Sequence, residues 1–301
     1  MKIQAWIKAI RLRTLPLALS SIAMGSFLAA FDGAFSFRIL LFSGLTTIFL
    51  QILSNLANDY GDYIHGADGS HRSGPSRAVS SGTISPGEMK TAIIIFAVAS
   101  FASGMLLIYN LLNTTKFLFF IFLAAGILAI LSAIGYTMGK KPYGYAGLGD
   151  LFVVLFFGIT GVAGTYFLHT GQMAADSLLP ALGTGFFATA VLNINNIRDI
   201  ESDRLSGKRS IPVRIGLRKA VFYHWFLLAG GWSTAIIFTV LNFRGIMQFL
   251  FLLATPLLIL NGIDVAAKAG SDKLDACLKK MAMTTLVFVI TFGIGLMIVR
   301  I

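Results

Sequence analysis

Charge is scarce in this chain. Asp, Glu, Lys and Arg make up 12% of its 301 residues, where a soluble globular domain typically carries about 25%. That shortage excludes an ordinary water-soluble fold. The single cysteine, Cys277, excludes an internal disulfide. Four histidines, His65, His71, His169 and His224, are scattered without the spacing of a zinc site. No GxxxxGK[ST] stretch is present, so the phosphate-cradling loop of a nucleotide hydrolase is lacking. Nor is there a Ser–His–Asp or Cys–His pattern, a low-complexity segment or a separate soluble domain.

What fills the chain is hydrocarbon. It is 56% hydrophobic, with a mean hydropathy of +0.80. Runs of about 20 apolar residues, long enough to cross a bilayer, recur near 15–32, 38–57, 90–110, 117–136, 149–169, 177–195, 220–242, 246–266 and 281–299. The expected fold is all-α: one polytopic membrane domain over 1–301, with nine transmembrane helices around a central cavity. The first run follows basic residues as a signal peptide would. It reads as a retained span, because eight more follow and no small-residue cleavage site closes it.

The net charge of +11 fits a lipid bilayer rather than nucleic acid once its distribution is laid on nine spans. Lys2, Lys8, Arg11 and Arg13 precede the first span. Arg72, Arg77 and Lys90, then Lys140 and Lys141, fall in loops on the same side. So do Arg198, Arg204, Lys208, Arg209, Arg214, Arg218, Lys219, Lys268, Lys273, Lys279 and Lys280, which brings that side to 20 of 24 basic residues. Only Arg38, Lys116, Arg244 and Arg300 fall opposite. By the positive-inside rule the N-terminus is cytoplasmic.

Two loops on that side, at about 58–89 and 196–219, hold Asp59, Asp62, Asp68, Glu88, Asp199, Glu201 and Asp203, seven of the thirteen acids. They resemble each other: Asn55 precedes Asp59 by four residues, and Asn195 precedes Asp199 by four. A faint internal duplication follows. If helix continues through these positions, Asn55, Asp59 and Asp62 share one face, as do Asn195, Asp199 and Asp203. Facing carboxylate pairs make a hard-oxygen site of the kind Mg²⁺ takes together with water and substrate phosphates. Arg72, Arg77, Lys208 and Arg209 follow the acids closely, and Lys140 and Lys141 lie between them. Metal and guanidinium together match a polyphosphate. Glycines 66, 69, 74 and 207 allow tight turns beside it. A diphosphate carried on a membrane lipid suits such a site best.

These residues also carry a resemblance. Asn58-Asp59-x-x-Asp62 with Asp68, paired with Asp199-x-x-x-Asp203, resembles the two aspartate-rich motifs of the UbiA-type intramembrane aromatic prenyltransferases. The blocks 11-RLRTLPLA-18, 51-QILSNLANDYGDYIHGAD-68, 136-YTMGKKPYGYAGLGD-150 and 192-LNINNIRDIESDRLSGKRSIPVRIG-216 are similar to the naphthoate-prenylating, menaquinone-forming branch. The likeness covers residues 11 to 216; the last three spans match in hydrophobicity alone. Arg209-Ser210-Ile211-Pro212 departs from the pattern, which has a small polar residue after the Gly-Lys and no proline.

The resemblance implies transfer of a polyprenyl group from polyprenyl diphosphate to 1,4-dihydroxy-2-naphthoate, with loss of CO₂ and diphosphate, in a prokaryotic inner membrane with the site facing the cytoplasm. It implies Mg²⁺ held by Asp59, Asp62, Asp199 and Asp203, with Asn58 and Asp68 in the same set. Arg13, Arg77, Lys141 and Lys208 would contact the diphosphate, with Arg72, Lys140 and Arg198 behind them. Tyr60, Tyr136 and Tyr145 would shield an allylic cation by cation–π contact, beside Asn55 and Asn195.

Other readings stay open at this level. Asn55 and Asn195 equally suit interhelical hydrogen bonds, Tyr136 and Tyr145 an interfacial aromatic belt, and Asp68 a plain Asp-Gly turn. Gly144, Gly147 and Gly149 suit close helix packing. 4-Hydroxybenzoate is the alternative acceptor. A cation transporter built from repeats is the alternative class, although its site would lie near the bilayer midplane.

Overall fold

The computed structural model describes residues 2–66, 77–271 and 273–300 and, for 110–114, the backbone alone. Among the described residues the chain is helical, and nine segments are long and apolar enough to cross a membrane. It is a multi-pass membrane protein. The helices are α1 Lys2–Ile10, α2 Leu15–Phe31, α3 Phe37–Ile64, α4 Pro86–Thr114 and α5 Lys116–Gly135. After them come α6 Gly149–Thr170, α7 Leu178–Arg198, α8 Ile200–Leu205, α9 Ile211–Ile215 and α10 Leu217–Leu241. The last two are α11 Ile246–Lys268 and α12 Leu274–Arg300.

Each span lies where its apolar run predicts, but α3 does not stop with the hydrocarbon. It continues to Ile64, so Asp59 and Asp62 stand on helix rather than in the loop expected from position 58. Lipid rather than protein solvates much of the apolar surface: on α5, Phe117 and Leu131 are 74% and 59% exposed. That exposure suits hydrocarbon and not water. Within α6, Val154–Gly164 is wound as a π-helix.

The chain divides into two compact units. The first comprises Met1–Leu15, Leu41–Gly149 and Asp199–Ser210. Its core is built on Leu53, Leu56 and Ala57 of α3, Ile84 and Met89 at the start of α4, and Ala5 and Ala9 of α1. Arg11, left-handed at φ 54, turns the chain at the end of α1. The side chain of Asn55 then ties that turn to α3, donating to Ile10 O at 2.8 Å and Thr14 Oγ1 at 3.1 Å. Thr46 donates to Ser103 at 3.0 Å between α3 and α4, a polar link of the kind that joins helices in lipid.

The second unit comprises Pro16–Leu40, Asp150–Arg198 and Ile211–Ile301. Its core holds a cluster of phenylalanines among aliphatic side chains. Phe187 meets Phe288 edge to face at 4.9 Å between centroids, and Phe251 packs on both Phe288 and Phe292. His224 hydrogen-bonds Asn261 at 3.1 Å, and Asn261 donates to Cys277 O at 3.0 Å.

Candidate metal and diphosphate site

The first aspartate motif is set by the last turns of α3. Asn55, Asp59 and Asp62, spaced by four and three, fall on one helix face, and all three are buried. A buried carboxylate needs partners, and the strap after position 76 supplies them. Asp59 accepts the backbone amides of Ala78 at 3.1 Å and Val79 at 3.2 Å, one on each oxygen. Asp62 accepts the Arg77 guanidinium on one oxygen and the Tyr145 hydroxyl on the other, the latter at 3.3 Å. Arg77 also donates to Asn58 O.

Gly61 makes this end of α3 fit. A Cβ there would lie 2.5 Å from Thr137 Oγ1 and 2.7 Å from Thr137 O. Through that gap Thr137 donates to Ala57 O at 3.0 Å and reaches Asn58 Oδ1 at 3.1 Å.

The second motif is folded differently. The helix does not run through it: α7 ends at Arg198, Asp199 sits at φ −96, ψ 14, and α8 begins at Ile200. Asp203 N still donates to Asp199 O at 2.8 Å, which keeps the two aspartates one turn apart. Gly207, left-handed at φ 76, ends α8 and returns Lys208 N to Asp203 O at 2.8 Å. The Lys208 ammonium lies 3.3 Å from the Asp203 carboxylate, and Ser210 Oγ donates to Asp203 Oδ2 at 3.1 Å. Pro212, out of pattern in sequence, lies in the first turn of α9, where a missing N–H costs nothing.

Lys208 is 8% exposed. Burial pulls its ammonium down, but Asp203, Tyr136, Asp62 and Asp199 around it outweigh that and raise it, so it stays charged. Asp203 is raised chiefly by burial and further by Asp199, against Lys208 and Ser210. Carboxylates of both motifs therefore act on one lysine within the first unit.

The structure brings Asp59, Asp62, Asp199, Asp203, Arg77, Lys208, Tyr136 and Tyr145 into that unit. It assigns several expected residues elsewhere. Arg198, expected behind the diphosphate, donates to Asp275 at 2.7 Å and Asn195 at 2.8 Å inside the second unit. Those bonds make it and Asn195 ties between helices. Asn55 is likewise a tie to Ile10 and Thr14. Tyr60 is packed in the first core and presents its ring to Lys90 Nζ at 5.5 Å, so that face already meets a cation. Tyr136 stands edge-on to Tyr143 at 5.3 Å, near Lys208. Lys140 and Lys141 are exposed on the loop after α5, and Arg13 is half-buried in the turn before α2. Asp68 and Arg72, with Gly69, Gly74 and His71, lie outside the described residues.

The donor chemistry fits a hard dication: four buried carboxylates, in two pairs, with oxygen the only ligand type. Among the described residues no three His, Cys, Asp or Glu side chains already form a metal cage. Paired carboxylates without a cage are what Mg²⁺ takes when water and substrate phosphate complete its shell. Sequence reasoning missed Thr137, Ser210 and the amides of Ala78 and Val79. Gly144 reads there as a position of close packing, whereas the approach of Thr137 to Gly61 is not foreseen. Backbone amides leave no trace in a sequence.

Comparison with known proteins identifies the family. Residues 18–296 match the model of the UbiA prenyltransferase family. A Haemophilus influenzae protein called 1,4-dihydroxy-2-naphthoate octaprenyltransferase is 44% identical over 99% of this chain and 97% of its own length. An Escherichia coli strain K12 protein of the same name is 42% identical over 95% of this chain and 94% of its own. Among solved structures, the apo structure of a UbiA homolog from Aeropyrum pernix K1 has a TM-score of 0.67 at 18% identity, covering 96% of this chain and 98% of that one. A UbiA homolog from Archaeoglobus fulgidus bound to GPP and Mg²⁺ has a TM-score of 0.64 at 16% identity, covering 97% and 99%. At such identities these two structures support the fold alone. The match to the family removes the cation-transporter alternative.

Proposed function

The chain belongs to the UbiA prenyltransferase family, and on that premise we propose that it transfers a polyprenyl group from polyprenyl diphosphate to 1,4-dihydroxy-2-naphthoate. The products are demethylmenaquinol (the reduced form of demethylmenaquinone), CO₂ and diphosphate. The observation that carries this reading is the gathering of four buried aspartates in one unit, two of them paired with cations: Asp62 with the half-buried Arg77 and Asp203 with the buried Lys208. The relatives of 44% and 42% identity named for this reaction support the acceptor. The precedent for the metal and the diphosphate donor is a protein of the same fold bound to GPP and Mg²⁺.

Asp59, Asp62, Asp199 and Asp203 are the residues that would hold Mg²⁺. When bound, the ion neutralises charge on the diphosphate and so improves it as a leaving group. Lys208 and Arg77 add fixed positive charge for the same oxygens in a site with little water, where each acts more strongly than it would in bulk. As the C–O bond breaks, the electron pair leaves with diphosphate and an allylic cation remains. The electron-rich naphthoate ring forms the new C–C bond, and loss of CO₂ restores its aromaticity. The apolar wall of the spans excludes water, which would otherwise give a prenyl alcohol. No side-chain nucleophile takes part. The membrane is the cell's inner membrane, and the aspartate-rich face is cytoplasmic, as the basic residues indicate.

The test is turnover of purified protein with geranylgeranyl or a longer prenyl diphosphate. Dihydroxynaphthoate and 4-hydroxybenzoate are offered in parallel, with Mg²⁺ or EDTA. Prenylated naphthoate and CO₂, abolished by EDTA, are expected. Product from hydroxybenzoate alone would overturn the acceptor, and no diphosphate release from either would overturn the reaction.

A further inference from the structure

Tyr145 sits where three segments of the first unit converge. The loop after α5 folds back on the helix end: Tyr143 N donates to Gly135 O at 3.2 Å and Gly144 N to Tyr136 O at 3.0 Å. Only glycine fits at 144, since a Cβ would lie 2.5 Å from Tyr136 O and 2.8 Å from its ring. This fold-back delivers Tyr145 to its contacts.

Those contacts reach both aspartate motifs. The Tyr145 hydroxyl donates to Asp62 Oδ1 at 3.3 Å. Its carbonyl accepts Arg209 N at 2.9 Å, the residue after Lys208. Its ring lies against His65 at 5.4 Å between centroids, and His65 donates to Gly61 O at 2.8 Å or Gly139 O at 3.1 Å according to its tautomer.

We propose that Tyr145 is a positioning residue that registers the two aspartate motifs against each other, its hydroxyl orienting Asp62 and its carbonyl holding the Lys208–Ser210 segment against the same loop. A carboxylate held on one oxygen still rotates about Cβ–Cγ. With Arg77 on Oδ2 and Tyr145 on Oδ1, the plane of Asp62 is fixed. The phenol, with two torsions against the four of an arginine side chain, is the stiffer of the two donors. The Arg209 bond links this loop to the turn that carries Lys208 and, through Lys208 and Ser210, Asp203. A single residue thus carries the geometry from one motif to the other. The inference rests on reading both motifs as one Mg²⁺–diphosphate site.

The test separates that reading from the proposal. Y145F removes the hydroxyl but keeps the ring on His65 and the carbonyl on Arg209. Mn²⁺ binding in the presence of inorganic diphosphate is followed by the EPR signal of free Mn²⁺, on full-length protein in detergent. Wild type, Y145F, D62N and D62N/Y145F are compared, with thermal midpoints for each. Y145F is expected to keep its midpoint and to lose about tenfold in Mn²⁺ affinity, the size of one hydrogen bond. It is expected to lower kcat while leaving KM for the acceptor unchanged. In the D62N background the same change is expected to have no further effect, since its partner charge is gone. Unchanged Mn²⁺ affinity in Y145F, or an equal loss with and without Asp62, overturns the proposal alone. A wild-type protein that binds no Mn²⁺ with diphosphate overturns the underlying reading and the proposal with it.

Discussion

Asp59 illustrates how one side chain serves two purposes. Its oxygens are held by the amides of Ala78 and Val79, and its charge is one of the four we propose for the metal. The two roles separate by substitution. D59N keeps the shape and one acceptor oxygen while removing the charge, but turns its NH2 toward one of the two amides; turnover is expected to fall on the order of 10²-fold or more, with a thermal midpoint lowered by less than in D59A. D59A also strands two buried amides, at about 1–3 kcal/mol each, so its midpoint is expected to fall as well. Retained activity in D59N would remove Asp59 from the metal site. Lys208 is read by the same logic. K208M is expected to raise KM for the prenyl donor about 10- to 100-fold, the range for a hydrogen bond to a charged group, and to spare KM for the aromatic acceptor. Steady-state kinetics with each substrate varied checks this, and an unchanged donor KM would take Lys208 out of the site.

At the scale of elements, the two motifs reach similar chemistry by different routes. The first rides on a helix that outruns its hydrocarbon span to Ile64; the second needs a break at Asp199 and a short helix beyond it. The equal Asn-to-Asp spacing in sequence suggested matching helices, and the structure shows one continuous helix and one interrupted one. Spacing records residue order, whereas a helix continues only if each residue keeps helical φ and ψ. The close approach of Thr137 to Gly61 is the weak point of the first route. G61A places a Cβ 2.5 Å from Thr137 Oγ1, and overpacking of this kind costs about 1–3 kcal/mol. We expect a lower thermal midpoint together with weaker Mg²⁺ activation, because Asn58, Asp59 and Asp62 move with the helix. A G61A protein as stable and as active as wild type would mean that the loop after α5 yields without consequence.

For the whole molecule, the basic residues predict orientation. In a C277S background, a cysteine at 140 is expected to react with a membrane-impermeant maleimide added on the cytoplasmic side. A cysteine at 243, exposed at the far end of α10, is expected to react only from the opposite side. The reverse pattern would invert the topology. Nine spans were legible because about 20 apolar residues in a row have one stable fate in lipid, a helix that satisfies its own backbone. The four aspartates were legible because ionisable groups beside hydrocarbon are costly and hence seldom incidental.

By itself the sequence determined the spans, the fold class, the family and which residue types we propose for the metal and the diphosphate. Each of these depends on local composition or on a short motif, and local patterns survive in one dimension. The tertiary structure decided which cation sits on which carboxylate: Arg77 on Asp62, Lys208 on Asp203, and Arg198 on Asp275 instead of in the site. It also decided that two backbone amides cap Asp59 and that Tyr145 touches both motifs. Partners separated by 15, 77 or 83 residues are chosen by where the packed helices end. A sequence names the charges, and only the packing of the helices and loops pairs them.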